Sequence, residues 1–346
     1  MDIVAVDLFC GAGGLTKGLQ DARINVVAGI DIDSACRYPY EENSHAKYIL
    51  KDISDVSGRE ISRLYPENSI KVLVGCAPCQ PFSTYSNRYD IKRDGKWRLL
   101  YQFSRLIREV NPDIVSMENV LKLEQNEVFK NFKYDLLDMG YNVSHSIVNC
   151  DEYGIPQIRR RLVLLASKFG DIKIMPPTHK NRKKTVRETI GKLPPINAGE
   201  TCITDKLHSA NNLSPLNLER IKISKQGGTW RDWPKELRAA CHQKESGYSY
   251  HAVYGRMDWD KPSPTITTQF TGFGNGRFGH PEQNRAISLR EAALLQTFPK
   301  NYKFIDPDIE YIKTNISRMI GNAVPVRLGK VIGISIQRHL KLYKII

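Results

Sequence analysis

Short apolar runs separated by polar stretches of helical length organise the first half of the chain. The runs at 3–9 (IVAVDLF), 24–30 (INVVAGI), 46–50 (AKYIL), 71–75 (KVLVG), 113–117 (DIVSM) and 161–167 (RLVLLAS) are rich in β-branched residues. Alternation of such strands with amphipathic stretches predicts an α/β fold: a doubly wound, mostly parallel sheet joined by right-handed crossovers. After about residue 170 this rhythm is lost. Residues 171–187 carry two prolines and a dense basic run. Further prolines follow at 194, 195, 215, 234, 262 and 264, and glycines at 227, 228, 272, 274, 276 and 279, with aromatic residues interleaved. This predicts a second, smaller, loop-rich domain over 171–285. Regularity returns in 286–346. There, SLREAALLQTF (288–298) starts with Ser288 at an N-cap and Glu291 three residues on, a capping-box signature, and GNAVPV (321–326) precedes a final amphipathic helix.

Composition narrows the class. The 346 residues are 41% hydrophobic and 25% charged, as in an ordinary globular protein. No apolar run approaches the 18 residues of a membrane span, and the N-terminus lacks the basic region of a signal peptide, so the expected location is the cytoplasm, without membrane contact. Seven cysteines, at 10, 36, 76, 79, 150, 202 and 241, form no paired framework and are expected as thiols. Lysine and arginine exceed aspartate and glutamate by 51 − 37 = 14. That excess favours a polyanionic partner, nucleic acid first and an anionic membrane surface second.

Chemistry-bearing residues follow the strand candidates, where open parallel sheets bind ligands. CGAGG follows the first, and Gly11, Gly13 and Gly14 allow a tight turn with a ligand close to the backbone at a helix N-terminus. Asp31 follows the second, about 20 residues beyond the first glycine, where an acid takes a ribose hydroxyl pair. Asp52 follows the third and could accept from an adenine amino group, although a helix N-cap is the plainer role. Together these suit an adenosine-containing ligand, either a nicotinamide dinucleotide or S-adenosylmethionine. A cysteine-bearing loop, CAPCQPFS, follows the fourth strand and Glu118 the fifth, a pair for which dehydrogenases have no use. The loop's C-x-x-C has no second pair to complete a zinc site, so no metal is expected, and Pro81 favours a loop over the exposed helix N-terminus of a redox pair. Cys76 reads as an inert thiol buried at the strand end; Cys79, between Pro78 and Gln80, is the better nucleophile. Arg159 and Arg161 alternate on a strand-like segment, point to one face and could support a thiolate, with Arg160 on the other face.

In this order and spacing the motifs DLFCGAGG, APCQPFS, MENV, YGIPQIRRR, RAISLREAALLQTFP and IGNAVP resemble those of the cytosine-5 DNA methyltransferases over nearly the whole chain. The resemblance implies a Rossmann-like methyltransferase domain over 1–170, a target-recognition domain over 171–285, and a segment 286–346 that returns to complete the catalytic domain. It implies S-adenosylmethionine as cofactor, with Phe9 against the adenine, Asp31 on the ribose, and Asp52 and Ile53 on the adenine beside Gly11, Gly13 and Gly14. Asn322, grouped with these, would help join the end of the chain to the first domain. Cys79 would be the nucleophile, Glu118 would bind the base, and Arg159 and Arg161 would support the site. The chain departs from the family's Asp-x-Arg-Gly-x-Leu loop pattern at DGKWRLL (94–100), where Lys96 and Trp97 stand instead.

These roles suit a reaction in which the cysteine adds to C6 of cytosine, making C5 nucleophilic, while a protonated Glu118 engages N3 and accepts from the 4-amino group. The target base would have to be flipped out of double-stranded DNA. QGGTWRDWP and TTQFTGFGNGRFGHP offer arginines, amides and aromatics for groove contacts, with Arg231 and Arg277 as candidate guanine readers. The implied enzyme is a monomer near the nucleoid that protects DNA beside a separately acting restriction endonuclease, or works as an orphan modifier. A tRNA cytosine-5 methyltransferase, a catalytically dead nucleic-acid binding module and a nicotinamide oxidoreductase are the alternatives.

Overall fold

The computed structural model describes residues 1–78, 98–247, 249–250 and 252–346. These form two compact units: 1–153, 160–178 and 323–346 make the first, 154–159 and 179–322 the second. In the first unit lie β1 (Ile3–Leu8), β2 (Asn25–Asp31), β3 (Lys47–Leu50), β4 (Ile70–Gly75), β5 (Ile114–Val120), β6 (Asn142–Asn149) and β7 (Arg160–Ser167). Between them run α1 (Gly14–Asp21), α2 (Arg37–Ser44), α3 (Gly58–Ser62), α4 (Arg98–Val110) and α5 (Glu127–Asp138). The strands form one seven-stranded sheet in the order β3-β2-β1-β4-β5-β7-β6. The first five in that order are parallel, and β7 runs antiparallel between β5 and β6. The fold is therefore α/β with a mostly parallel, Rossmann-like sheet. All six β1 residues are buried, as a central parallel strand covered on both faces requires. β6 escapes the hydrophobic pattern because it is an edge strand, NVSHSIVN, mostly half-exposed and rich in polar residues. The chain winds outward from β1 to β3 and then returns to β4 beside β1, which creates a switch point at the carboxyl edge of those two strands.

The second unit has little regular structure: a two-stranded ribbon, β8 (Thr201–Cys202) with β9 (Asp205–Ser209), and the helices α6 (Val186–Ile190), α7 (Pro215–Ile223), α8 (Leu289–Leu295) and α9 (Lys313–Asn322). Backbone carbonyls outside helices and sheets still need donors, and buried arginines supply them. Arg256, 4% exposed, donates to the carbonyls of Ile221, Ser224, His280 and Gln283 at 2.6–2.9 Å. Arg285, fully buried, donates to the Ile196 carbonyl at 3.0 Å and pairs twice with Glu291 at 2.7 and 2.8 Å. Glu291 in turn closes the capping box of α8 with Ser288. Trp230, Trp233, Phe273 and Ile221 form an apolar core. The loop aromatics expected to face a groove are thus core residues: the Trp230 and Trp233 indoles are 1% exposed and donate to the Tyr250 carbonyl and Ser224 Oγ.

The boundaries differ from the sequence expectation. The first segment runs to 178 rather than 170, and residues 286–322 pack with the second unit, so the return begins at Ala323 rather than at 286. The Arg285–Glu291 pair and the Gln296 amide, which donates to the Ile320 carbonyl at 2.7 Å, tie α8 and α9 to that unit. In the first unit, α10 (Val326–Leu342) packs on α1, where Gly18 and Gly329 let the two backbones touch; a β-carbon on Gly18 would lie 2.2 Å from the Val326 carbonyl oxygen. The stretch Lys313–Leu342 is long and apolar enough to cross a bilayer, which an apolar run counted residue by residue does not reveal. However, 72% of its most apolar window is buried, and the chain breaks it at residues 323–325, so it behaves as a pair of core helices.

Candidate active site

The first part of the site is the turn after β1. Phe9 has φ 58°, Gly11 φ 51° and Gly13 φ 86°, and Gly13 is the N-cap of α1. Glycine relieves this left-handed backbone of side-chain strain. A β-carbon on Gly11 would meet nothing within 4 Å, so the loop borders open space. The Gly11 N–H donates to Asp31 Oδ2 at 2.8 Å, and the Asp33 N–H donates to Oδ1 at 3.0 Å. Asp31 therefore ties the glycine loop to the end of β2, and each carboxylate oxygen keeps a lone pair for another donor. Burial raises its pKa against these N–H groups. On the adjoining strand end Asp52 accepts from the Ser54 N–H at 2.8 Å, so it does cap a helical turn, and Ile53 is a core residue at 4% exposure. The half-buried Phe9 ring stands edge-on to Phe103 at 6.5 Å.

Sequence reasoning passed over Asp7, a carboxyl within an otherwise apolar strand and 1% exposed. Its Oδ2 accepts from Thr16 Oγ1 at 2.7 Å, and Thr16 Oγ1 lies 3.1 Å from the Tyr40 hydroxyl. Burial pushes the Asp7 pKa up to about 7. The signal was available, because an ionisable residue in a strand buried on both faces needs a partner.

The second part lies between β4, β5 and β7. Glu118 belongs to β5 and is 2% exposed. Its Oε1 stands 2.9 Å from Arg161 Nε, close enough for an ion pair, although no hydrogen bond from the described residues is aligned on that oxygen. Its Oε2 accepts from the Cys76 thiol at 2.8 Å. One residue on, Asn119 Nδ2 donates to the Ala77 carbonyl at 3.1 Å, clamping the chain after β4 against β5. Cys76 is half-buried and engaged, not an inert buried thiol as its sequence context suggested.

The structure brings Glu118 and Arg161 together, and Gly11 and Asp31. It does not put Arg159 on the strand with Arg161: β7 begins at Arg160, and Arg159 belongs to the second unit. There its Nη1 donates to the Ile266 carbonyl at 3.0 Å, and the buried Gln157 beside it accepts from the Ile266 N–H at 2.9 Å and donates to Gln296 at 2.9 Å. Asn322, exposed at the end of α9, is also in the second unit. Arg231 is exposed and stacks over Trp230, while Arg277 is half-buried. Cys79, Lys96 and Trp97 lie outside the described residues.

A glycine turn bordering open space, a strand-end carboxylate with spare acceptor capacity and a half-buried aromatic ring fit an adenosine-bearing cofactor. The buried glutamate, with one oxygen beside Arg161 that accepts no aligned hydrogen bond among the described residues, fits a polar heterocycle. Residues 3–338 match the family described as C-5 cytosine-specific DNA methylase, and the chain belongs to that family. It is a DNA (cytosine-5-)-methyltransferase, a member of an S-adenosylmethionine-dependent class of enzymes that act on DNA. Its relatives include Type II modification enzymes. It is 58% identical over 341 residues to the Type II methylase M.HgiDII of Herpetosiphon aurantiacus, covering 97% of this chain and 95% of that one. Identity to the Type II methyltransferase M1.HphI of Haemophilus parahaemolyticus is 30%, over 96% of this chain and 86% of that one. In fold it is similar to a candidate DNA modification methyltransferase encoded within an E. coli prophage, with a TM-score of 0.74 at 21% identity, over 98% of this chain and 100% of that one.

Proposed function

We propose that the carboxyl edge of the first unit's sheet binds S-adenosylmethionine and a flipped-out cytosine of a specific double-stranded DNA sequence, and that Cys79 forms the covalent intermediate. The observation that carries this reading is Glu118, buried in β5 with one oxygen held by Cys76 and the other beside Arg161 without an aligned donor among the described residues. When bound, S-adenosylmethionine supplies an electrophilic methyl group on its sulfonium. The chain's own residues do the rest. Gly11, Gly13 and Gly14 admit the cofactor to the backbone at the start of α1, Asp31 accepts from its ribose hydroxyls, and Phe9, Asp52 and Ile53 border its adenine. Cys79 adds its sulfur to C6 of the cytosine, and Glu118 meets the negative charge that develops at N3 and accepts from the 4-amino group. Arg161 sets the position of the Glu118 carboxyl. Arg159 and Asn322 belong to the second unit, and there Arg159 orders the backbone at Ile266.

The net charge of +14 supports phosphate-led DNA binding, with Arg231 and Arg277 as candidate readers of the sequence. The Type II relatives support a role beside a separately acting restriction endonuclease in the bacterial cytoplasm. The protein is proposed to act as a monomer.

The test is covalent capture on duplex DNA containing 5-fluorocytosine in the presence of cofactor. The wild-type chain is expected to form a denaturation-resistant adduct that maps to residue 79, and Cys79→Ser to form none while still binding S-adenosylhomocysteine. Equal capture by both proteins, or capture only on tRNA, would overturn the reading.

A further inference from the structure

The Cys76 thiol sits 2.8 Å from Glu118 Oε2, across 42 residues of sequence. We infer that Cys76 is a positioning residue, whose S–H fixes the plane of the Glu118 carboxyl so that the remaining oxygen faces the cytosine edge. This rests on Glu118 being the group that binds the base.

Cys76 is itself well held. Its N–H donates to the Leu8 carbonyl at 3.4 Å, which extends the β4–β1 ladder by one residue, and the Asn119 amide anchors the next carbonyl. The thiol is therefore presented from a backbone braced on two sides. The carboxyl it meets needs such a hold, because the terminal torsion of a glutamate is broad and roughly two-fold. A base edge that offers N3 and the 4-amino group in one plane requires the carboxyl to lie in that plane too. Among the described residues, the charged and titratable groups at this carboxyl are Arg161 from β7 and Cys76 after β4, one at each oxygen. Arg161 supplies charge but no aligned bond, so it draws Oε1 towards itself without fixing the rotation. The thiol supplies the direction.

Sulfur suits this place chemically. A thiol is a weak donor. Its S–H gives the carboxyl a direction, and a hydroxyl at the same position would keep that direction while a methyl group would not.

The experiment compares Cys76→Ala, Cys76→Ser and Glu118→Gln in the full chain, with steady-state methyl transfer to duplex DNA as the readout. Cys76→Ala is expected to lower kcat by about ten- to a hundredfold, the scale set by misplacing a reacting group, with KM for S-adenosylmethionine unchanged. Cys76→Ser, which keeps a donor in place, is expected to recover most of kcat. In a Glu118→Gln background, Cys76→Ala should add little further loss. Should Cys76→Ala compromise folding, seen as lost S-adenosylhomocysteine binding, Cys76→Val, which also lacks the donor, is read in its place. Wild-type kcat without the donor, no recovery in Cys76→Ser, or full additivity with Glu118→Gln would overturn the assignment. Full activity of Glu118→Gln would instead overturn the role of Glu118 on which it rests.

Discussion

The two units solve the same problem, how to satisfy a buried backbone, by different means. In the first unit a seven-stranded sheet pairs its own carbonyls and N–H groups, and the side chains between layers are apolar. In the second unit the described sheet content is one two-stranded ribbon, and the carbonyls of irregular chain are met by the guanidiniums of Arg256 and Arg285. A guanidinium carries five donors in a rigid fork, so one side chain can gather several loops that share no ladder. This difference sorts the basic residues of the chain. In the second unit a large arginine is as readily a structural hub as a contact for DNA, and burial separates the two: Arg256 and Arg285 are buried, whereas Arg231 is exposed.

The largest expected effect strikes the polar scaffold. Arg285→Leu strands the fully buried Glu291, whose carboxyl is opposed by burial yet held down to about 2 by Arg285. Leaving such a charge unpaired should cost about 3–5 kcal/mol, read as a drop in the denaturant midpoint. The double variant with Glu291→Leu should recover much of it, and if it does not, the pair is not what organises this unit. A smaller effect tests the apolar scaffold. Gly18→Ala forces apart the backbones of α1 and α10 and should cost about 1–3 kcal/mol, visible as a lower Tm; an unchanged Tm would show that the contact is looser than it looks. The smallest concerns the exception in the first unit, the buried Asp7. Its folded-state pKa of about 7 stands above the ordinary 3.8, so the folded chain keeps a proton that the unfolded chain has released. The stability this group contributes is full below pH 4 and lost as pH rises to 7. Asp7→Asn should remove that slope, raising Tm near pH 7 relative to wild type and leaving it nearly unchanged near pH 4. Parallel Tm–pH curves would show that Asp7 ionises normally.

How much could be read in advance follows the same division. Six strands were legible because each is a short β-branched run, and β6 was not, because an edge strand with both faces partly wet has no run to see. The glycine turn, Asp31 and the capping box of Ser288 and Glu291 were legible because their partners lie within one turn or one strand–helix step. Arg159 and Arg161 seemed equivalent, since alternation places them on one face of a strand, yet β7 starts between them and Arg159 is drawn to the Ile266 carbonyl. Trp230 and Trp233 looked like surface ligands because their neighbours are glycine, proline and charge, although they fill a core assembled from distant loops.

Local pattern by itself determined the α/β class, the turn after β1, the helix caps and the order of the motifs, since each depends on residues a few positions apart and on backbone preferences that act without tertiary context. Only the folded chain decided that β7 lies antiparallel against β5, that the segment 286–322 packs with the second unit, and that Cys76 meets Glu118. Those outcomes depend on which carbonyls and carboxylates remain unsatisfied once the sheet has formed, and strand register carries that information across dozens of residues while local pattern does not.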